Sequence, residues 1–196
     1  MDMNVSFDVL LVSEEPGKTE ALQTLLNDSG YRVKSHITTV DDVIEEVNRC
    51  QPDLVIVKTE ETSNYFMNQL YNLNQENPKP IVIFTDKSES GLIEGAIKAG
   101  VSAYVVDGLS SERVKPVLQI AQARFEQEQS LRNELTKTKL QLEDRKTIER
   151  AKGLIMKSRN LTEDEAYKAL RKLAMNKNQR LIEVANDVIS VSELLI

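Results

Sequence analysis

The chain has 196 residues, 40% hydrophobic and 29% charged, with a formal net charge of −6. That length holds one large or two small domains, and no apolar run approaches the ~18 residues that a membrane span requires. Cys50 and His36 are each the only residue of their kind, which excludes an internal disulfide and a His/Cys metal cluster and fits a reducing, cytoplasmic setting.

The charge is unevenly spread. Residues 1–129 carry 11 Lys+Arg against 21 Asp+Glu, and residues 130–196 carry 14 against 10. A basic tail on an acidic body fits a polyanionic partner, and it fits a solvated helical surface equally well. The opening MDMNVSFDVLLVSEE has no basic leader and meets acid at once, so it does not read as a signal peptide.

In chain order, the first half alternates apolar runs with helical patterns. The runs are Asp8–Val12, Tyr31–Ser35, Asp53–Val57, Pro80–Phe84 and Ala103–Val106. Three of them are near-continuous β-branched or leucine runs, the pattern of parallel strands buried on both faces. Helical patterns lie between them at Thr19–Asn27, Val40–Arg49, Asn64–Leu73 and Gly91–Ala99, the first with a stripe of Ala21, Leu22, Leu25 and Leu26. Gly30 and Gly100 are helix stop signals. The repeat of roughly 22–27 residues predicts an α/β domain with a doubly wound, five-stranded parallel sheet.

Sites in such sheets lie at the carboxyl ends of the strands. Those positions hold Ser13, Glu14 and Glu15 after the first run, Lys58 after the third, Thr85 after the fourth, and Asp107 and Gly108 after the fifth. With VLLVSEEP, QPDLVIVK, PIVIFTD and AGVSAYVVDG in these places, roughly residues 7–125 resemble the receiver domain of bacterial response regulators. The resemblance implies a site with an acidic pair, a phosphoacceptor Asp, a Thr or Ser and a Lys, which together hold Mg²⁺ and a phosphoryl group. Here the phosphoacceptor position holds Lys58, the Lys position holds Asp107, and the first acidic position holds Ser13. Glu14 is the only aligned acid and Thr85 alone is kept. An ammonium cannot become an acyl phosphate and repels Mg²⁺. The head therefore reads as a pseudo-receiver whose degenerate pocket is Ser13, Glu14, Lys58, Thr85 and Asp107. Asp and Lys have exchanged places, which predicts a Lys58–Asp107 ion pair; two independent charges at loop tips is the alternative.

From Ser110-Ser111-Glu112 a long helix is predicted, opened by a capping-type serine and with a small kink or loose start at Pro116. Residues 117–147 are rich in Gln, Glu, Lys, Arg and Leu. Val114, Ala121, Leu135 and Leu142 share one heptad position, and Val117, Leu131 and Thr138 share another. A polar helix of this length has no face to bury on its own domain, which predicts pairing with its copy in a parallel coiled-coil homodimer; a single solvent-exposed helix is the alternative. The expected division is a head at 1–112, a linker at 113–147 and a small three-helix all-α domain at 148–196.

In that last part, Ile148, Ala151, Leu154 and Ile155 form one apolar face, with Gly153 read as a point of close helix approach. Thr162-Glu163-Asp164-Glu165 is a T-x-x-E capping box. Ala166, Leu170 and Leu173 line the second helix, and a third from about Arg180 carries Leu181, Val184, Ala185, Val188 and Ile189. ERAKGLIM, LTEDEAYKALRKLAM and NQRLIEVANDVI resemble the ANTAR domain of transcription antitermination regulators, from about Leu135 to Ile189. The order of pseudo-receiver, coil and ANTAR tail is similar to regulators of the AmiR/NasT type. The resemblance implies binding of paired stem-loops in a nascent leader transcript, blocking of a terminator hairpin, and service to nitrate/nitrite assimilation genes. It also implies control by a ligand-sensing inhibitory protein (NasS/AmiC-like). Candidate RNA contacts are Lys152, Lys157, Arg171, Lys172, Lys177, Gln179 and Arg180, with Arg159 and Lys168 beside them, all read as exposed. Tyr167 reads as either a base-stacking platform or a partly buried core residue. No nucleophile–base set, metal cluster or phosphate-cradling glycine loop is present, so neither catalysis nor a cofactor is expected. The competing readings are a response-regulator-type factor acting on DNA and a non-catalytic dimeric scaffold.

Overall fold

The computed structural model describes residues 7–13, 16–60, 63–86, 90–107 and 110–193. The chain divides into two compact units, residues 1–129 and 130–196.

In the first unit, strands β1 (Phe7–Ser13), β2 (Tyr31–Ile37), β3 (Leu54–Lys58), β4 (Ile81–Thr85) and β5 (Ala103–Val106) form one sheet in the order β2-β1-β3-β4-β5. All neighbours are parallel, as the apolar runs predict. Side chains alternate across the sheet. Val9, Leu11, Leu54, Ile56, Val82 and Phe84 point to one face, where α1 (Pro16–Asp28) and the start of α5 (Ser111–Arg159) cover them. Leu10, Val12, Val55, Val57, Ile81 and Ile83 point to the other, under α2 (Val43–Cys50), α3 (Asn64–Glu76) and α4 (Ser90–Lys98). A 3₁₀ turn at Val40–Asp42 leads into α2, capped by the Thr39 side chain. The expected stripe on α1 holds at Leu22 and Leu26, which are buried, but Ala21 is exposed. Gly100 takes φ 77° after α4, and a Cβ there would run into the Asn74 side chain, so only glycine fits.

Helix α5 runs 49 residues without a break, through Pro116. Its first turns belong to the head: Val114, Leu118 and Ala121 are fully buried on the sheet. Two of the positions assigned to a coil seam, Val114 and Ala121, are therefore already occupied within the same unit.

The second unit is all helical: the later part of α5, α6 (Glu163–Lys177) and α7 (Leu181–Glu193). Ala151, Leu170, Ala174, Val184, Ala185 and Ile189 form its core, with Ile148, Leu154, Ile155, Leu181 and Val188 against it. The expected capping box is present. The Glu165 N–H donates to the Thr162 hydroxyl, and the Thr162 N–H donates to the Glu165 carboxylate at 2.9 Å. Both helix ends that precede a turn are closed by an asparagine in the left-handed region, Asn160 (φ 49°) and Asn178 (φ 54°). In each case the next N–H reaches back across the last turn, Leu161 to Met156 O (3.2 Å) and Gln179 to Ala174 O (3.0 Å). Asparagine does here what glycine commonly does. Gly153 makes no close helix approach among the described residues of this chain, since a Cβ there would meet none of them within 4 Å.

Candidate nucleic-acid interface and the degenerate head pocket

The sheet register brings the head-pocket residues together at the carboxyl ends of the strands. Ser13 pairs with Lys58, Lys58 with Phe84, and Thr85 with Val106, so β1, β3, β4 and β5 end together. Ser13 and Thr85 are buried at 1% exposure and Lys58 at 5%. The His36 ring Nε2–H donates to the Ser13 carbonyl at 3.2 Å. Asp107 follows β5 in the left-handed region (φ 51°), tied by its N–H to the Thr85 carbonyl at 3.1 Å. Glu14, Glu15 and Gly108 lie outside the described residues.

The expected Lys58–Asp107 pair is not formed. The Lys58 ammonium donates instead to Asp86 Oδ1 at 2.9 Å. Asp86 is the first residue past β4, the strand that pairs with the one Lys58 ends. The exposed Asp107 stands one strand further away. A buried ammonium with a carboxylate beside it gives the position neither a phosphoacceptor nor a harbour for a divalent cation. Among the described residues no group of three or more His, Cys, Asp or Glu side chains could hold a metal ion.

In the second unit the candidate cations separate into three groups. Lys152, expected on the surface, is buried, at 6% exposure. Its ammonium bonds Glu149 at 2.8 Å and Glu163 at 2.7 Å, and it lies 6.0 Å from the Tyr167 ring centroid. Both carboxylates hold Lys152 above its usual 10.5, Glu149 most, while Lys152 holds the Glu163 carboxyl below its usual 4.5. Lys152 ties α5 to the first turn of α6. The sequence carries a sign of this, because Lys152 falls four residues after Ile148 and three before Ile155, on the stripe that faces the core.

Lys177 and Arg180 form the second group. They are exposed, but each is engaged by α7: Lys177 with Asp187 at 3.0 Å, and Arg180 with Glu183 at 2.8 Å. The Arg180 N–H also donates to Glu183 at 3.1 Å, capping α7. Such surface pairs are weak and exchangeable. Gln179 is exposed between them.

The third group is Lys157 and Arg159 at the end of α5, with Lys168, Arg171 and Lys172 on α6. All are exposed and make no ion pair among the described residues. Lys168 and Lys172 stand four apart on one row of α6, while Tyr167 and Arg171 form a second row with the 74%-exposed Met175. Tyr167 is 42% exposed, so its ring is open on one side. One feature had no sequence signal of its own: a groove of about 810 Å³ between α5, α6 and α7, with apolar walls and a basic rim.

Residues 136–189 match the model of the ANTAR domain, and the chain therefore carries one, formed by the end of α5, α6 and most of α7. From end to end the chain is similar to the transcriptional regulatory protein PdtaR of Mycobacterium tuberculosis, with 29% identity over 188 residues that cover 96% of this chain and 92% of PdtaR. It is also similar to a nitrate regulatory protein of Klebsiella oxytoca, with 36% identity over 88 residues, 45% of this chain and 22% of that protein. Among solved structures, the signal receiver domain of a Luxo repressor protein from Vibrio parahaemolyticus superposes with a TM-score of 0.54 at 21% identity, over 65% of this chain and 98% of that one. That likeness shows the receiver fold of the head.

Proposed function

We propose that this protein is an RNA-binding transcription antiterminator, a regulator and not an enzyme. Its ANTAR tail would grip paired stem-loops in a nascent leader transcript and keep a terminator hairpin from closing. The observation that carries this reading is the match of residues 136–189 to the ANTAR domain, on a unit with five exposed cations that form no ion pair among the described residues. Cations of that kind supply the phosphate-tracking, salt-sensitive part of RNA affinity.

Functionally the chain divides into a receiver-like head, a linking coil along the middle of α5, and the tail. Leu131, Leu135 and Leu142 are all more than half exposed on that helix at heptad spacing, which supports a parallel coiled-coil homodimer. Two tails on one coil engage two hairpins at high effective concentration. With Lys58 held by Asp86, the head is controlled by a ligand-sensing inhibitory partner and not by a phosphoryl group. Nitrate or nitrite assimilation genes are the proposed target, on the similarity to the Klebsiella oxytoca regulator.

The test is equilibrium binding of the full chain to a two-hairpin RNA, a single-hairpin RNA and a DNA duplex of equal charge. Tighter binding to the two-hairpin RNA by tenfold or more is expected. Equal affinity for the duplex would favour a DNA-binding regulator.

A further inference from the structure

We propose that the groove between α5, α6 and α7 receives an unpaired base from the loop of the bound RNA. This rests on the RNA-binding reading above and specifies where that reading places the nucleotide. The walls come from all three helices: Leu154 and Ile155 from α5, Leu173 from α6, Val188 and Val191 from α7. Leu173 is 38% exposed and Val191 57%, so two walls present apolar surface that the unit does not bury itself.

The charge around the opening selects the occupant. Arg159 and Lys172 line the groove without ion pairs among the described residues, whereas Lys177, also at the rim, is neutralised by Asp187. Lys168, Lys172 and Asn176 form one row along α6, and that row runs into the groove. A splayed nucleotide matches this plan. Its base is apolar on both faces and polar at the edge, and its phosphates carry the charge. Apolar walls take the faces, Asn176 and Ser192 offer donors and acceptors to the edge, and Arg159 and Lys172 meet the flanking phosphates.

The experiment uses the full chain and a two-hairpin RNA enriched on it from a pool with randomised loops. Abasic substitutions are placed singly through the loops. Val191→Trp fills the groove without changing charge, and Leu173→Asn, which only makes one wall polar, serves if the tryptophan variant does not fold. Retention of fold is read from circular dichroism. At least one abasic position is expected to weaken wild-type binding tenfold or more. Val191→Trp should weaken binding to the intact RNA by a similar factor, with the same salt slope, and that abasic position should then cost it less than twofold. The groove assignment is overturned if the variant binds within twofold of wild type, or if no abasic position matters; the groove would then belong to a protein partner. Failure of the wild-type chain to bind any RNA of the pool would overturn the RNA reading itself and this inference with it.

Discussion

The Lys58 ammonium lies 2.9 Å from an Asp86 carboxylate oxygen, at the carboxyl end of the central strand, where a receiver domain would carry its phosphoacceptor. Lys58 is buried and the Asp86 side chain is 47% exposed, so the pair is asymmetric. Replacing Asp86 with alanine leaves a buried ammonium without its carboxylate, and a loss of about 1–3 kcal/mol is expected. Lys58→Met removes the charge itself and keeps the stem, and should cost less than Asp86→Ala. Urea unfolding of the two variants, followed by circular dichroism, checks the order.

Incubation with acetyl phosphate and Mg²⁺ should leave the wild-type chain without an acyl phosphate on the head, because position 58 offers an amine and not a carboxylate. Mass spectrometry under conditions that preserve acyl phosphates reads this. Lys58→Asp alone should not restore labelling, since Ser13 and Asp107 remain where an acid and a lysine are needed.

The two kinds of tail cation should part company on substitution. Arg171→Gln and Lys172→Gln remove exposed, unpaired charge, so stability should stay within about 0.5 kcal/mol. RNA affinity should fall several-fold, and each should lower the salt slope by about 1. Lys152→Gln should do the reverse: a lower urea midpoint for the tail with little change in salt slope, because its ammonium faces Glu149 and Glu163 and not solvent.

The Lys152–Glu163 pair also sets a pH dependence. Lys152 lowers the Glu163 pKa, so that carboxylate's contribution is present above its unfolded value of 4.5 and is lost as pH falls through the lower folded value. Glu149 and Glu163 raise the Lys152 pKa, so its contribution is present below 10.5 and is lost as pH rises through the higher folded value. Protection of the amides at the start of α6, taken as the exchange rate relative to that of an unstructured peptide at the same pH, should be level between these limits and fall in acid. Lys152→Met should blunt the acid effect without removing it, because Glu165, lowered chiefly by the Thr162 backbone N–H, titrates in the same turn.

Leu135→Asp combined with Leu142→Asp places charge on the exposed stripe of α5. Both positions lie outside the two units' cores, so the folded content should be unchanged. Sedimentation should show a dimer for wild type and a monomer for the variant, and affinity for a two-hairpin RNA should drop at least tenfold.

What could be read from the chain beforehand was local or periodic. DVLLV, DLVIV and PIVIF give their strands to within a residue or two, because a strand buried on both faces needs nothing but its own apolar run. The Thr162–Glu165 box is equally local, three residues from cap to carboxylate. The misreadings needed a distant partner to decide them. Lys152 looked like a surface cation until Glu163, eleven residues away, closed on it. The exchange of residue types points Lys58 to Asp107, whereas its carboxylate partner is Asp86, just past the neighbouring strand. Val114 and Ala121 fit a heptad, but the sheet takes them first. The groove could not be read at all, since it is bounded by three helices and by no one of them.

The most direct measurement is single-round transcription on a template in which two hairpins bound by this chain precede an intrinsic terminator that overlaps the second. Adding the full chain should raise readthrough in proportion to dimer occupancy, and disrupting either hairpin should abolish the effect. Readthrough that stays at its basal level while the RNA is bound would contradict antitermination.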